Sequence, residues 1–368
     1  GPKASPHDIP FMGMHISGEH RYMLENMQMS RKSGDESRVL PISVIENKLE
    51  QILLTGGEDR LNEYRDELRT VAEELGMQTE FAKINNIISA LLSTHDAKVL
   101  STDSAKALAV GNPFDKTRVE LFEVLFEAIK DRYFVIRNNR NTDEESFRLF
   151  SFFESYFSNY IEGTEFEIDE AKAIVDSGIP MPRRDEDSHD ILGTFKVLSN
   201  RAEMMKTPTS PKELFSILSH RHSILLEGRP HMNPGIFKTK NNRAGMTEFV
   251  DYQLVKGTLS QGFKYYAALT DPFARAIFMM FMISEVHPFN DGNGRVARVM
   301  MNAEFVRADQ SRIIVPTVFR EDYILALRKL TQHKDPLAYI NVMTKLHQFS
   351  DNLYGTDFTE LKNYLATC

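Results

Sequence analysis

At 368 residues the chain exceeds the usual length of one compact unit, so a main domain with a smaller appendage is expected. A net charge of −8 argues against a protein built to coat nucleic acid, so any grip on a polyanion has to be local. The single cysteine, Cys368, excludes an internal disulfide framework or a thiolate metal cluster, and no stretch has the length and apolarity of a membrane span or a signal peptide; a reducing cytoplasm and no membrane partner are the expectations.

Residues 1–40 mix Gly, Pro, Ser and scattered Met without a sustained period and read as a loosely ordered leader. Residues 41–112 turn helical, with Ile45, Leu49, Ile52 and Leu53 on one stripe and Leu61, Leu68, Val71 and Leu75 on the next, punctuated by Thr55-Gly56-Gly57 and Gly111-Asn112-Pro113. Strand signals are few and repeats absent, so the architecture is expected to be mostly α. A main domain over 113–345 and a C-terminal tail over 346–368 complete the division.

Within the main domain, Leu149, Phe153, Tyr156, Phe157 and Tyr160 give the segment 146–161 a broad apolar face, and Gly163 stops it. Residues 177–187, with two prolines and the run Arg183-Arg184-Asp185-Glu186-Asp187, read as a surface connection. Residues 233–250 form the best hairpin candidate, with Asn241-Asn242 near its turn; a lone hairpin needs the helical body for support, and its edge could receive another chain.

Asp271-Pro272 is a strong helix start, and Ala276 to Ile283 are apolar on every side, so the helix runs through the core until Pro288 blocks it and leaves His287 at its end. Gly292-Asn293-Gly294 then opens a second helix whose core stripe is Val296, Val299, Met300 and Ala303. Arg295 and Arg298 share the opposite side of its first turn, where the helix dipole is already positive. Two cations there are explained by a bound polyanion, held by exposed N–H groups, glycine backbone and two guanidinium forks. Asp291 becomes useful if Mg²⁺ bridges it to phosphate, which makes the ligand a nucleotide di- or triphosphate. His287 is the natural general base.

The segment His287 to Arg298 resembles the Fic family signature, His-x-Phe-x-Asp/Glu-Gly-Asn-Gly-Arg-x-x-Arg, at every specified position: His287, Phe289, Asp291, Gly292, Asn293, Gly294, Arg295 and Arg298. The resemblance extends loosely over 140–343. It implies a Fic-type helical core with a small β-hairpin flap, and transfer of AMP from ATP to a Ser, Thr or Tyr hydroxyl of a target protein. In that reading His287 deprotonates the hydroxyl and Asp291 holds Mg²⁺. Gly292, Asn293 and Gly294 line an anion hole, Arg295 and Arg298 grip the β- and γ-phosphates, and Phe289 anchors the loop. Residues 235–249 look like the family's flap, with Gly235, Ile236, Phe237 and Lys238 docking the target; Lys238 stands where many relatives have Arg. Relatives of the Doc toxin type have Lys in place of Gly294 and transfer the γ-phosphate, so Gly294 favours AMP.

Ser158-Asn159-Tyr160-Ile161-Glu162-Gly163 resembles the family's inhibitory motif, Ser/Thr-x-x-x-Glu-Gly/Asn, lying upstream of the core. By that resemblance Glu162 occupies the guanidinium of Arg298, Ser158 supports the contact, Gly163 ends the helix, and the resting enzyme is restrained. The alternatives are removal of AMP from a modified target, with Glu162 orienting water, and a non-catalytic nucleotide-sensing module. A DNA-binding role is disfavoured, since no winged-helix segment or basic recognition stripe is present. Target recognition, packing and homo-oligomer formation all remain open for residues 42–112.

Overall fold

The computed structural model describes residues 6, 8–29, 37, 39–94, 96–244 and 247–366. Cys368 and much of the expected leader lie outside the described residues. The chain divides into two compact units, 1–114 and 115–368.

In the first unit the leader segment is more ordered than its composition suggested. Strands β1 (Ile9–Phe11) and β2 (Met14–Ile16) pair antiparallel, and α1 (Glu19–Glu25) follows. The reason is local. Met23, Leu24 and Met27 are buried, and Arg21 bonds Asp8 at 2.6 Å and Glu25 at 2.8 Å, tying the residue before β1 to the helix. Helix α2 (Ile42–Leu75) kinks at Gly57, whose φ of 73° suits a residue without Cβ, so the two apolar stripes serve one core on either side of the bend. Ile45, Leu49, Leu61, Leu68 and Val71 pack with Ile84, Ile87 and Ile88 of α3 (Gln78–Leu91) and with Ala105 of α4 (Asp103–Ala109).

The second unit is a helical assembly comprising α5 (Lys116–Ile129), α6 (Glu144–Ile161), α7 (Ile168–Ser177), α8 (Asp185–Leu198), α9 (Arg201–Met204), α10 (Pro211–Leu225), α11 (Val255–Ala268), α12 (Pro272–Val286), α13 (Asn293–Arg307), α14 (Arg320–His333), α15 (Pro336–Ser350) and α16 (Phe358–Ala366). Asp271 caps α12 by accepting from Ala274 N–H at 2.9 Å, with Pro272 in the first turn. Residues Phe278 to Ile283 are fully buried, so α12 runs through the core and α13 packs back along it. Gly262 lets α11 close on α12, since a Cβ there would fall 2.5 Å from Met282 Sδ.

The acids at 185–187, expected in a surface connection, instead form the first turn of α8, where negative charge complements the helix N-terminus. The expected tail also continues the fold. Helix α15 extends to Ser350, and α16 lays Phe358 against Phe152 and Phe153 and buries Leu361. Among the described residues of the expected hairpin, β3 (Arg243–Ala244) and β4 (Thr247–Glu248) pair with register Ala244↔Thr247, so Asn241-Asn242 lie just before the strands.

Candidate active site

The end of α12 holds His287 in a left-handed conformation, φ 51° and ψ 61°, because Pro288 disfavours the helical region for the residue before it. That conformation is costly for a residue with a side chain, so the surroundings must enforce it. Two contacts do so. His287 Nδ1 lies 3.0 Å from the Ser284 carbonyl and must donate to it, and the ring stacks on Phe249 with centroids 3.5 Å apart and planes 3° from parallel. With Nδ1 carrying the proton, Nε2 keeps its lone pair. Burial pushes the His287 pKa down to about 4, so the ring is neutral near pH 7.

The loop from Pro288 to Gly292 is fastened by the side chain of Asn293. Phe289 N–H donates to Asn293 Oδ1 at 2.8 Å, and Asn293 Nδ2 donates to the Phe289 carbonyl at 2.9 Å. Phe289 is fully buried against Phe237. Gly292 adopts φ 71° as the N-cap of α13 and donates its N–H to Asp291 Oδ1 at 2.7 Å.

Arg295 and Arg298 are both buried, and both are engaged. Arg295 Nη1 meets Asp190 Oδ2 at 2.7 Å and Nη2 meets Asp291 Oδ2 at 3.3 Å, while its Nε is buried with no partner among the described residues. Asp190 is in turn gripped by Arg229 at 3.0 and 2.7 Å; burial raises its pKa, and the guanidiniums of Arg295 and Arg229 oppose that rise. Arg298 donates from Nε to Ser158 Oγ at 2.9 Å and from Nη2 to the Ser158 carbonyl at 2.8 Å and Glu162 Oε1 at 2.6 Å. Glu162 is the C-cap of α6 and Gly163, at φ 95°, ends the helix behind it.

Helix α6 is held on the unit by a buried polar cluster. Asn302 donates to Glu154 Oε1 at 2.7 Å, and Arg312 donates to Glu154 Oε2 and Ser151 Oγ, each at 3.0 Å. Burial pushes the Glu154 pKa up to about 7 even against Arg312.

The flap segment begins at Gly235, φ 78°, and leaves Ile236 exposed beside an open hollow of about 480 Å³ lined also by Phe215, Ser219, Phe237 and Lys256. Lys238 is buried rather than presented. Its N–H donates to the Pro288 carbonyl at 2.8 Å and its Nζ to Asn242 Oδ1 at 2.7 Å, and burial lowers its pKa to about 8. Asn242 Nδ2 reaches the Phe289 carbonyl at 2.8 Å.

Thus His287, Asp291, Gly292, Asn293, Gly294, Arg295 and Arg298 lie on one loop and helix start, and Ser158 and Glu162 meet them from α6. Sequence reasoning missed Asp190, His222, Arg229, Asn242 and Phe249. None of them belongs to a local pattern: Asp190 lies on α8, His222 on α10, Arg229 after α10 where it acts through Asp190, and Asn242 and Phe249 in the flap segment.

Residues 215–304 match the family model described as Fic/DOC family. Among curated proteins it is similar to protein adenylyltransferase fic-1 of Caenorhabditis elegans, 26% identical over 47% of this chain and 35% of the relative. It is also similar to protein adenylyltransferase Fic of Nematostella vectensis, 24% identical over 54% of this chain and 47% of the relative. The chain therefore spans about a third to half the length of these relatives. A solved structure of Fic-1 from C. elegans superposes with a TM-score of 0.48 at 16% identity, covering 89% of this chain and 93% of that one. No helix among the described residues is long and apolar enough to cross a membrane.

Proposed function

We propose that this chain is a protein adenylyltransferase that moves AMP from ATP to a target hydroxyl and is held back by Glu162. The observation that carries the reading is the juxtaposition of a neutral His287, with Nε2 available, and a glycine-opened helix start bearing two buried arginines. In the transfer, the target oxygen forms a bond to the α-phosphorus, the bond to the bridging oxygen of the β-phosphate breaks, pyrophosphate leaves, and the hydroxyl proton passes to His287 Nε2. The names of the curated relatives agree with this reaction.

Among the described residues no three His, Cys, Asp or Glu side chains gather to hold a metal unaided. A lone carboxylate nevertheless fits Mg²⁺ in a nucleotide site, since phosphate and water supply the other oxygens. Asp291, with its side chain 36% exposed, is that carboxylate. Bound there, Mg²⁺ would neutralise phosphate charge. Arg295, steadied by Asp190, would face the β-phosphate, and Arg298 would take the γ-phosphate once Glu162 withdraws. The exposed main chain of the flap segment would hold the target strand, with Ile236 at the contact.

Incubating the Glu162→Gly protein and Mg²⁺-ATP with a cell lysate, then analysing modified peptides by mass spectrometry, tests the assignment. An AMP-sized mass increase on Ser, Thr or Tyr that is lost when His287→Ala is added is expected; no such increase over lysate alone would overturn it.

A further inference from the structure

His222 lies on α10, outside the signature, yet it is fully buried against the loop. Its ring stacks on Phe289 with centroids 3.7 Å apart and planes 5° from parallel. Both nitrogens are committed. Gly235 N–H, at the start of the flap segment, donates to Nδ1 at 2.8 Å, so Nδ1 is the bare nitrogen. Nε2 then carries the proton and donates it to the Asp291 carbonyl at 2.9 Å. One side chain therefore bonds the first residue of the flap and the backbone of the carboxylate-bearing residue in the nucleotide loop. The backbone at Gly235 is closely fitted: a Cβ there would fall 2.9 Å from the Ser219 carbonyl oxygen.

We infer that His222 is a positioning residue that couples the flap to the nucleotide loop, so that ordering of one site is transmitted to the other through a single imidazole. The inference rests on the adenylyltransferase reading for the meaning of the two sites, but the link itself is a property of this chain. Two stable hydrogen bonds on opposite edges of a stacked ring leave it little rotational freedom, so a shift of the Asp291 backbone on nucleotide binding moves the acceptor that holds Gly235.

Two substitutions separate the halves of the link. His222→Asn places an oxygen near Nδ1 and keeps the acceptor for Gly235, but loses the donor to Asp291. His222→Gln places an amide near Nε2 and keeps that donor, but loses the acceptor. Both lose the stack on Phe289 equally, so differences between them report the hydrogen bonds. Amide hydrogen exchange in the Glu162→Gly background is the readout, with Mg²⁺-ATP as the probe. Without nucleotide, the Gly235 amide is expected to exchange about tenfold faster in H222Q than in H222N. With saturating Mg²⁺-ATP, the parent protein is expected to gain protection at 235–238, and neither His222 variant to do so, although H222Q still binds the nucleotide. Equal exchange at Gly235 in the two variants, or nucleotide-induced protection that survives in H222Q, overturns the coupling. Failure of the parent to bind Mg²⁺-ATP would count against the proposed function alone, because the nucleotide-free comparison still decides the link. Nitrogen-15 histidine spectra of the unsubstituted protein provide a check independent of variant folding: His222 is expected as the Nε2–H tautomer, and an Nδ1–H tautomer overturns the assignment.

Discussion

The carboxylate of Glu162 rests against Gly294 so closely that a Cβ at position 294 would lie 2.2 Å from Glu162 Oε1, the oxygen that meets Arg298 at 2.6 Å. The absence of a side chain at position 294 therefore also shapes the Glu162–Arg298 contact, the proposed restraint. An alanine at 294 and the Glu162–Arg298 contact cannot coexist unchanged. Gly294→Ala is expected to lose the contact, and Gly294→Ala/Glu162→Gly to transfer AMP no faster than Glu162→Gly alone. A double-mutant cycle on initial rates measures this; additive effects would mean that the two groups do not meet.

His287 sets the pH response. Its pKa in the folded protein is about 4, below the ordinary 6.5, chiefly through burial, and Glu162 pulls it upward. The base is competent when neutral, so activity is expected to stay level as pH falls through 6.5 and to decline only on approach to 4. In Glu162→Gly, with that carboxylate gone, the acid limb should move lower still. Rates from about pH 3.5 to 8 test this; a limb centred near 6.5 would mean that His287 is solvated in the working state.

Phe249 stacks on His287 and helps hold its left-handed backbone. Phe249→Ala forfeits an aromatic pair of about 0.5–1.5 kcal/mol. If that energy orients the base, transfer in the Glu162→Gly background slows by roughly 2–10-fold in kcat. Phe249→Tyr is expected to retain most of the rate, and single-turnover kinetics at saturating ATP separate this from nucleotide affinity.

Arg312 tests what holds α6. Its removal leaves Glu154 buried without its cation, and Arg312→Ala is expected to cost about 3–5 kcal/mol in urea denaturation. Glu154→Gln keeps one oxygen for Asn302 but turns an amide N–H₂ toward the Arg312 guanidinium and leaves that buried cation without its carboxylate, so it is expected to be destabilising as well. Because α6 also carries Ser158 and Glu162, partial loosening by Arg312→Ala should raise the basal rate.

Much of this arrangement was legible from the residues in order. The Asp271 cap, the apolar run to Ile283 and Pro288 located the loop, and the signature located its polar groups, because these features act within a few residues of one another. Folding brought in what local patterns could not show. Asp190 and Arg229 come together beside Arg295 from the α8 and post-α10 segments, and His222 reaches Asp291 across 69 positions. The leader was misjudged because Met23 and Leu24 find a partner surface on α2 that composition alone does not reveal. The hairpin forms within 233–250, and Asn241 and Asn242 sit just before its strands, where their side chains bond Asp251, Lys238 and Phe289.

The central claim is AMP transfer by His287 under restraint from Glu162, and parallel incubations with α-labelled and γ-labelled ATP test it most directly. A charge-assisted contact such as that between Glu162 and Arg298 is worth about 1.5–3 kcal/mol, so Glu162→Gly should incorporate α-label roughly 10–100-fold faster than the unsubstituted protein. Adding His287→Ala should lower that rate by about 10²–10⁴-fold, and γ-label should not be transferred by any variant. Transfer of γ-label, or a Glu162→Gly rate no greater than that of the unsubstituted chain, would contradict the account.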